Sequence, residues 1–178
     1  MVKVEIVNVV ATASVGQQID FEGLRKFKEI FHDSDVYGGR VAYFKTEKMQ
    51  GKVSIFNSGK MISVGTKSEG QAFHELEMAM DFLAEKGSAN RAILSPQIRN
   101  IVAVADFEKS VNLEMLSMES KAIYEPEQFP GAILRFEEPF KTSILVFASG
   151  KTVITGLTSA DQLWLIIKKL KKVIELSQ

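Results

Sequence analysis

Cysteine is absent from this chain, which excludes disulfides and any thiolate zinc site and leaves the compartment open apart from a lean towards an intracellular one. There are two histidines, His32 and His74, in different contexts and with no second histidine at ligand spacing. That argues against a zinc centre and against any Ser-His-Asp grouping. No apolar run is long enough to span a membrane, and the opening MVKVEIVNVV has no cleavable signal pattern. An excess of either charge is also missing, with 22 Lys+Arg against 22 Asp+Glu. A nucleic-acid binder that relied on bulk positive charge would show a surplus, so any such binding has to come from a local surface. Proline is scarce, yet two of the four prolines fall within one short stretch, YEPEQFPGAILRF, where Pro126 and Pro130 bracket Phe129. An aromatic held that way belongs in a stiff loop rather than in a helix or central strand.

Apolar residues make up 46% and charged residues 25% of the 178, the composition of a soluble globular chain with one ordinary domain or two small ones. Enzyme motifs fail on inspection. SGKT (149–152) lacks the earlier glycine of a Walker A loop, since position 145 is Leu. Glu137 and Glu138 are adjacent and point to opposite strand faces, which does not make a catalytic carboxylate pair. Neither catalysis nor a cofactor is expected.

The sequence is written twice. VNVVATASVGQQIDF (7–21) lines up with RNIVAVADFEKSVNL (99–113), and IFNSGKMISVG (55–65) with VFASGKTVITG (146–156). The repeats are 1–88 and 92–178. Each opens with a β-branched alternating segment (4–15; 96–107) and a short helical stretch (21–31; 112–119). Three strand-like runs follow, near 35–37, 40–46 and 52–57 in one copy and 122–125, 132–138 and 142–148 in the other. A fifth strand comes after the Ser-Gly-Lys turn, and a long amphipathic helix closes each copy behind a capping box, Ser68-x-x-Gln71 or Ser159-x-x-Gln162. The expected fold is α+β, with ten antiparallel strands and helices on one face. In TSILVFASG both faces of the strand are apolar, and the helices can cover only one. The uncovered face marks either a binding surface or a face buried by dimerisation.

The motifs YEPEQFPGAILRF, LVFASGKTVITG and the NIVA strand, repeated in this order, resemble the archaeal TATA-box-binding proteins over nearly the whole chain. That resemblance implies a tandem-duplicated saddle, a curved ten-stranded sheet whose concave face lies in the DNA minor groove, with helices on the convex face. Proteins of that kind wedge apolar side chains between base steps, and this family is itself the standing example, so the bend belongs to the family and is not read from the residues. Carried across, the wedge pair is Phe129 and Phe147. Asn100 and Thr155 supply polar contacts, Val102, Leu145 and Val153 the apolar floor, and Arg135, Ser149 and Lys151 the phosphate contacts. In the first copy the matching positions are Asn8, Val10, Thr12, Tyr37, Phe56, Ser58, Lys60 and Ile62. Glu125, Glu127 and Gln128 stand where the family meets transcription factor B, which brings RNA polymerase. The resemblance also implies a cytoplasmic, nucleoid-associated protein and allows a homodimer when free of DNA.

The first copy departs from the pattern. It has DSDVYGGRVAYF in place of the EPEQFPG loop, so that aligning Gly39 with Gly131 puts Tyr37 at Phe129 and Tyr43 at Arg135, with Arg40 as a substitute cation. Val64 replaces Thr155, and the closing helix bears Glu69, Glu75, Glu77, Asp81 and Glu85. Kinking is therefore expected to be weaker at the first-copy end. Two functions stand: a promoter-bending initiation factor, or a related paralogue whose altered first copy has become a regulatory or protein-interaction module with weak DNA binding.

Overall fold

The computed structural model describes residues 2–177 and contains ten antiparallel strands and three α-helices. Its internal contacts divide the chain into two units, Asn8–Arg99 and residues 2–7 with 100–177, so the division falls within β1 (Lys3–Ser14) and within β6 (Gln97–Asp106).

In the Asn8–Arg99 unit the strand order is β2 (Ile30–Phe31), β3 (Val41–Phe44), β4 (Lys52–Phe56), β5 (Lys60–Thr66), β1. The α1 helix (Glu69–Glu85) lies over β4 and β5. Alternation along the strands sends Val53, Ile55 and Met61 to the helix side, where they are buried with Leu76, Met80 and Leu83 of α1. Each such side chain contributes roughly 1.5–3 kcal/mol by leaving water. Residues 21–31 do not form the expected α-helix: only a 3-10 turn at Glu22–Leu24 is present, after which the chain enters β2. The strand expected near 35–37 is instead a loop and a second 3-10 turn, Tyr37–Gly39, because Gly38 and Gly39 take left-handed backbone angles that a strand excludes.

The other unit repeats this order as β7 (Ile123–Tyr124), β8 (Gly131–Phe136), β9 (Thr142–Phe147), β10 (Lys151–Leu157), β6. Here α2 (Leu113–Ser120) packs on β7 and β8, and α3 (Ala160–Leu176) on β10. Ser68 and Ser159 cap α1 and α3, their hydroxyls accepting from the backbone N–H of Gln71 at 3.2 Å and Gln162 at 3.4 Å.

One acidic residue of α1 is not a surface charge. Glu75 is fully buried, and its Oε1 accepts from the backbone N–H groups of Gln50 at 2.7 Å and Gly51 at 3.0 Å. From the other side the Lys45 ammonium donates to the carbonyls of Met49 and Gln50, each at 2.9 Å, and to that of Gly51. A helix carboxylate thus holds the N–H groups of this loop while a lysine holds its carbonyls. Glu75→Ala orphans two backbone donors and is expected to cost about 3 kcal/mol in urea unfolding, and Glu75→Gln, which keeps an acceptor oxygen, less. A loss below about 1 kcal/mol for Glu75→Ala would show that the loop is held without the carboxylate.

Candidate nucleic-acid interface

In the unit of residues 2–7 and 100–177, the strand face turned away from α2 and α3 is read directly from register. Ile123 pairs with Ile133, Ile133 with Leu145, Leu145 with Val153 and Val153 with Val104, giving one aliphatic row from the edge strand inward. A parallel row runs Arg135, Ser143, Thr155, with the Thr155 hydroxyl 3.3 Å from the Ser143 carbonyl. Their helix-side neighbours Ile101, Ala103, Ile144, Val146 and Ile154 are all buried without exposure. On the open face Val102, Leu145, Phe147, Val153 and Thr155 are half-buried.

Phe129 and Phe147 meet on this face, their ring centres 5.8 Å apart and their planes at 61°. The chain reaches Phe129 through a turn in which Gln128 and Phe129 both donate to the Glu125 carbonyl, at 2.9 and 3.0 Å. Gly131, across from Phe147, makes room for the pair: a Cβ there would stand 2.9 Å from the Phe129 ring and 3.2 Å from that of Phe147. Glu125, Glu127 and Gln128 project from the turn into solvent, and Ser149 and Lys151 are likewise exposed.

Asn8 and Asn100 each make a structural bond that the sequence did not disclose. Gly65 and Gly156 have φ of 100° and 93°, and their N–H groups donate to the side-chain oxygens of Asn8 and Asn100, each at 2.8 Å. Because a backbone N–H must meet oxygen, these bonds fix which way each amide points. The two N–H donors of each amide keep no protein partner among the described residues. Each unit therefore offers fixed donors beside an otherwise apolar floor. The minor groove at A·T pairs presents only acceptors, whereas G·C adds a donor, so such a floor suits A·T.

The Asn8–Arg99 unit repeats the plan with different chemistry. Its row runs Phe31, Tyr43, Ser54, Ile62, Thr12, and beside it Lys52 pairs with Val64 and Val64 with Val10. Register corrects the alignment drawn through the glycines. Tyr43 stands across from Ser54 as Ile133 stands across from Leu145, so Tyr43 answers to Ile133 and not to Arg135. By the same count Lys45 answers to Arg135, and its ammonium is spent on the loop carbonyls described above. Val41 pairs with Phe56 as Gly131 pairs with Phe147, and Val41 is 2% exposed. A buried valine thus fills the place where glycine seats the Phe129 ring. Tyr37 lies in the 3-10 turn at φ 51° and is 74% exposed, and among the described residues no ring contact joins it to Phe56.

Thr12, Phe56, Ser58, Lys60 and Ile62 line one cleft of about 450 Å³, together with Arg99, Gln97 and Ser95. Arg99 Nε donates to Thr12 Oγ1 at 2.9 Å, which adds a guanidinium to this end of the face. Nothing in the sequence pattern marked Ile133 or Arg99. Among the described residues no group of three or more His, Cys, Asp or Glu side chains is placed to hold a metal ion, and no helix is long and apolar enough to cross a membrane.

Comparison with known proteins identifies the family and the fold. The family model described as transcription factor TFIID (or TATA-binding protein, TBP) matches residues 3–86 and again 95–176. The chain belongs to the TATA-binding protein family. It is 42% identical over 159 residues to a TATA-box-binding protein of Cenarchaeum symbiosum, covering 89% of this chain and 86% of that one. It is 35% identical to that of Aeropyrum pernix, covering 96% and 83%. Among solved structures, Methanococcus jannaschii TBP superposes with a TM-score of 0.84 at 31% identity, covering 97% of this chain and 98% of the other. Membership in this family accounts for the duplication and the α+β fold, and its members are not enzymes.

Because each asparagine holds a bulge glycine through oxygen alone, Asn100→Asp is expected to keep thermal stability within about 0.5 kcal/mol, whereas Asn100→Ala costs about 1 kcal/mol. Equal losses for the two variants would show that the amide donors, rather than the oxygen, hold the turn.

Proposed function

We propose that this protein is a general transcription initiation factor that binds the minor groove of A/T-rich, TATA-box promoter DNA through the helix-free strand faces. The observation that carries this reading is the pairing of an apolar floor with two fixed amide donors, Asn8 and Asn100, each tied to a bulge glycine. Val10, Ile62, Val102, Leu145 and Val153 form the floor, and Thr12 and Thr155 add hydroxyls. Ser58, Lys60, Arg135, Ser149 and Lys151 meet phosphates, which set register without reading sequence. Phe129 and Phe147 enter between base steps and kink the duplex, in the manner for which this family is the standing example. Tyr37 is exposed enough to reach the duplex beyond the first-copy end. Glu125, Glu127 and Gln128, held clear of the floor by their turn, receive transcription factor B and through it RNA polymerase.

A second reading, a regulatory paralogue with weak DNA binding, draws on the departures at Val41, Tyr37 and Lys45. Both readings are separated by one assay, the bending of an end-labelled A·T-rich duplex followed by energy transfer. The initiation factor bends DNA by itself, and Phe129→Ala or Phe147→Ala weakens binding about tenfold and removes the bend. The base step at the Phe129–Phe147 end unstacks more than its counterpart, as 2-aminopurine fluorescence at each step reports. Bending that survives both substitutions, or equal unstacking at the two ends, would overturn the assignment of the wedge. Absence of binding would favour the paralogue. Lys60, Arg135 and Lys151 on phosphates are together expected to contribute about −3 to the slope of log K against log salt.

A further inference from the structure

At the outer edge of the Asn8–Arg99 unit the open face ends in an aromatic pair that the proposed DNA contacts do not include. Phe31, on β2, stacks on Tyr43, on β3, with ring centres 6.3 Å apart and planes at 29°. Lys52 sets its ammonium 4.7 Å from the centre of the Tyr43 ring. Phe31 is 63% exposed, which leaves one of the largest apolar side chains of the molecule in water. The other unit has Ile123 and Ile133 at the same two places in its row. The aromatic edge is therefore particular to one end of the duplicated sequence.

We infer that Phe31, Tyr43 and Lys52 form an additional DNA-contacting element, which grips the duplex at the end where the seated wedge pair is missing. The inference rests on the reading of the helix-free face as a DNA surface. Continuity carries it: Phe31 and Tyr43 head the same cross-strand row that ends in Ile62 and Thr12, with only the small Ser54 between. No carboxylate lies on that row, and Lys52 contributes a cation next to it, so the edge pairs apolar ring faces with positive charge. That combination fits a deoxyribose-phosphate strand, whose sugars are apolar and whose phosphates are anionic. A second copy of the chain fits less well, because β2 spans two residues and is too short to pair edge to edge. The Tyr43 hydroxyl, without a protein partner among the described residues, is a further donor for a phosphate oxygen.

The test is fluorescence anisotropy and hydroxyl-radical footprinting of the whole protein on a short A·T-rich duplex. Phe31→Ser and Tyr43→Ser are each expected to weaken binding about five- to tenfold and to shorten the footprint at one end only. Lys52→Gln is expected to reduce the salt slope by about one. If Phe31→Ser lowers the melting temperature, Phe31→Leu decides, since it keeps the edge apolar and removes the flat ring. Unchanged affinity and footprint in these variants, with Phe147→Ala weakening both, would overturn the inference and leave the DNA reading standing. Unchanged binding in Phe147→Ala as well would overturn both. Lost self-association in sedimentation with DNA binding intact would assign the edge to a second copy and overturn the inference too.

Discussion

A β-strand sends its side chains alternately to two faces, and in each unit of this protein helices cover only one of them. The covered face holds the core, Ile101, Ala103, Ile144, Val146 and Ile154 in one unit and Val53, Ile55 and Met61 in the other. The uncovered face is apolar as well, and that is the constraint from which the functional reading follows. Val, Leu, Ile and Phe left in water on a continuous face cost free energy that only a ligand able to displace that water recovers. A groove of stacked base pairs is the ligand proposed for it, with the two asparagine amides as the proposed polar contacts. Because the chain carries no net charge, the proposed attraction to DNA has to rest on local cations and not on a bulk surplus.

Duplication gave the two units one plan, and single residues then set them apart. Where Gly131 admits the Phe129 ring, Val41 closes the space. Where Arg135 faces outward, Lys45 turns its ammonium into a loop that Glu75 holds from behind. Where one row is aliphatic from end to end, the other finishes in Phe31 and Tyr43. In the proposed DNA complex, the unit without the seated aromatic pair would be held by other contacts.

Much of this was legible in the sequence. The repeat, the β-branched alternation of 4–15 and 96–107, the capped closing helices and the stiff Phe129 loop were all plain from residue pattern, and the structure has them. The open-face positions in β6, β9 and β10 followed from alternation once those strands were set. What failed was register in the first copy. The strand belongs at Ile30–Phe31 and not near 35–37, because two consecutive glycines at positive φ turn the chain after it. That shift hid Phe31 and led to the alignment of Tyr43 with Arg135, which strand pairing replaces with Ile133. Long-range bonds were equally out of reach. No local pattern joins Asn8 to Gly65, Arg99 to Thr12 or Glu75 to Gly51, since each bond depends on how distant segments pack.

The most direct test of the account is a crystal structure of the protein on an A·T-rich duplex. The helix-free faces should lie in the minor groove, with the Asn8 and Asn100 amides donating to base acceptors near the centre of the site. One base step should be opened by Phe129 and Phe147, with a shallower distortion beside Phe56. A duplex seated instead against the lysines of α3, or a groove left undistorted at the Phe129 end, would contradict it.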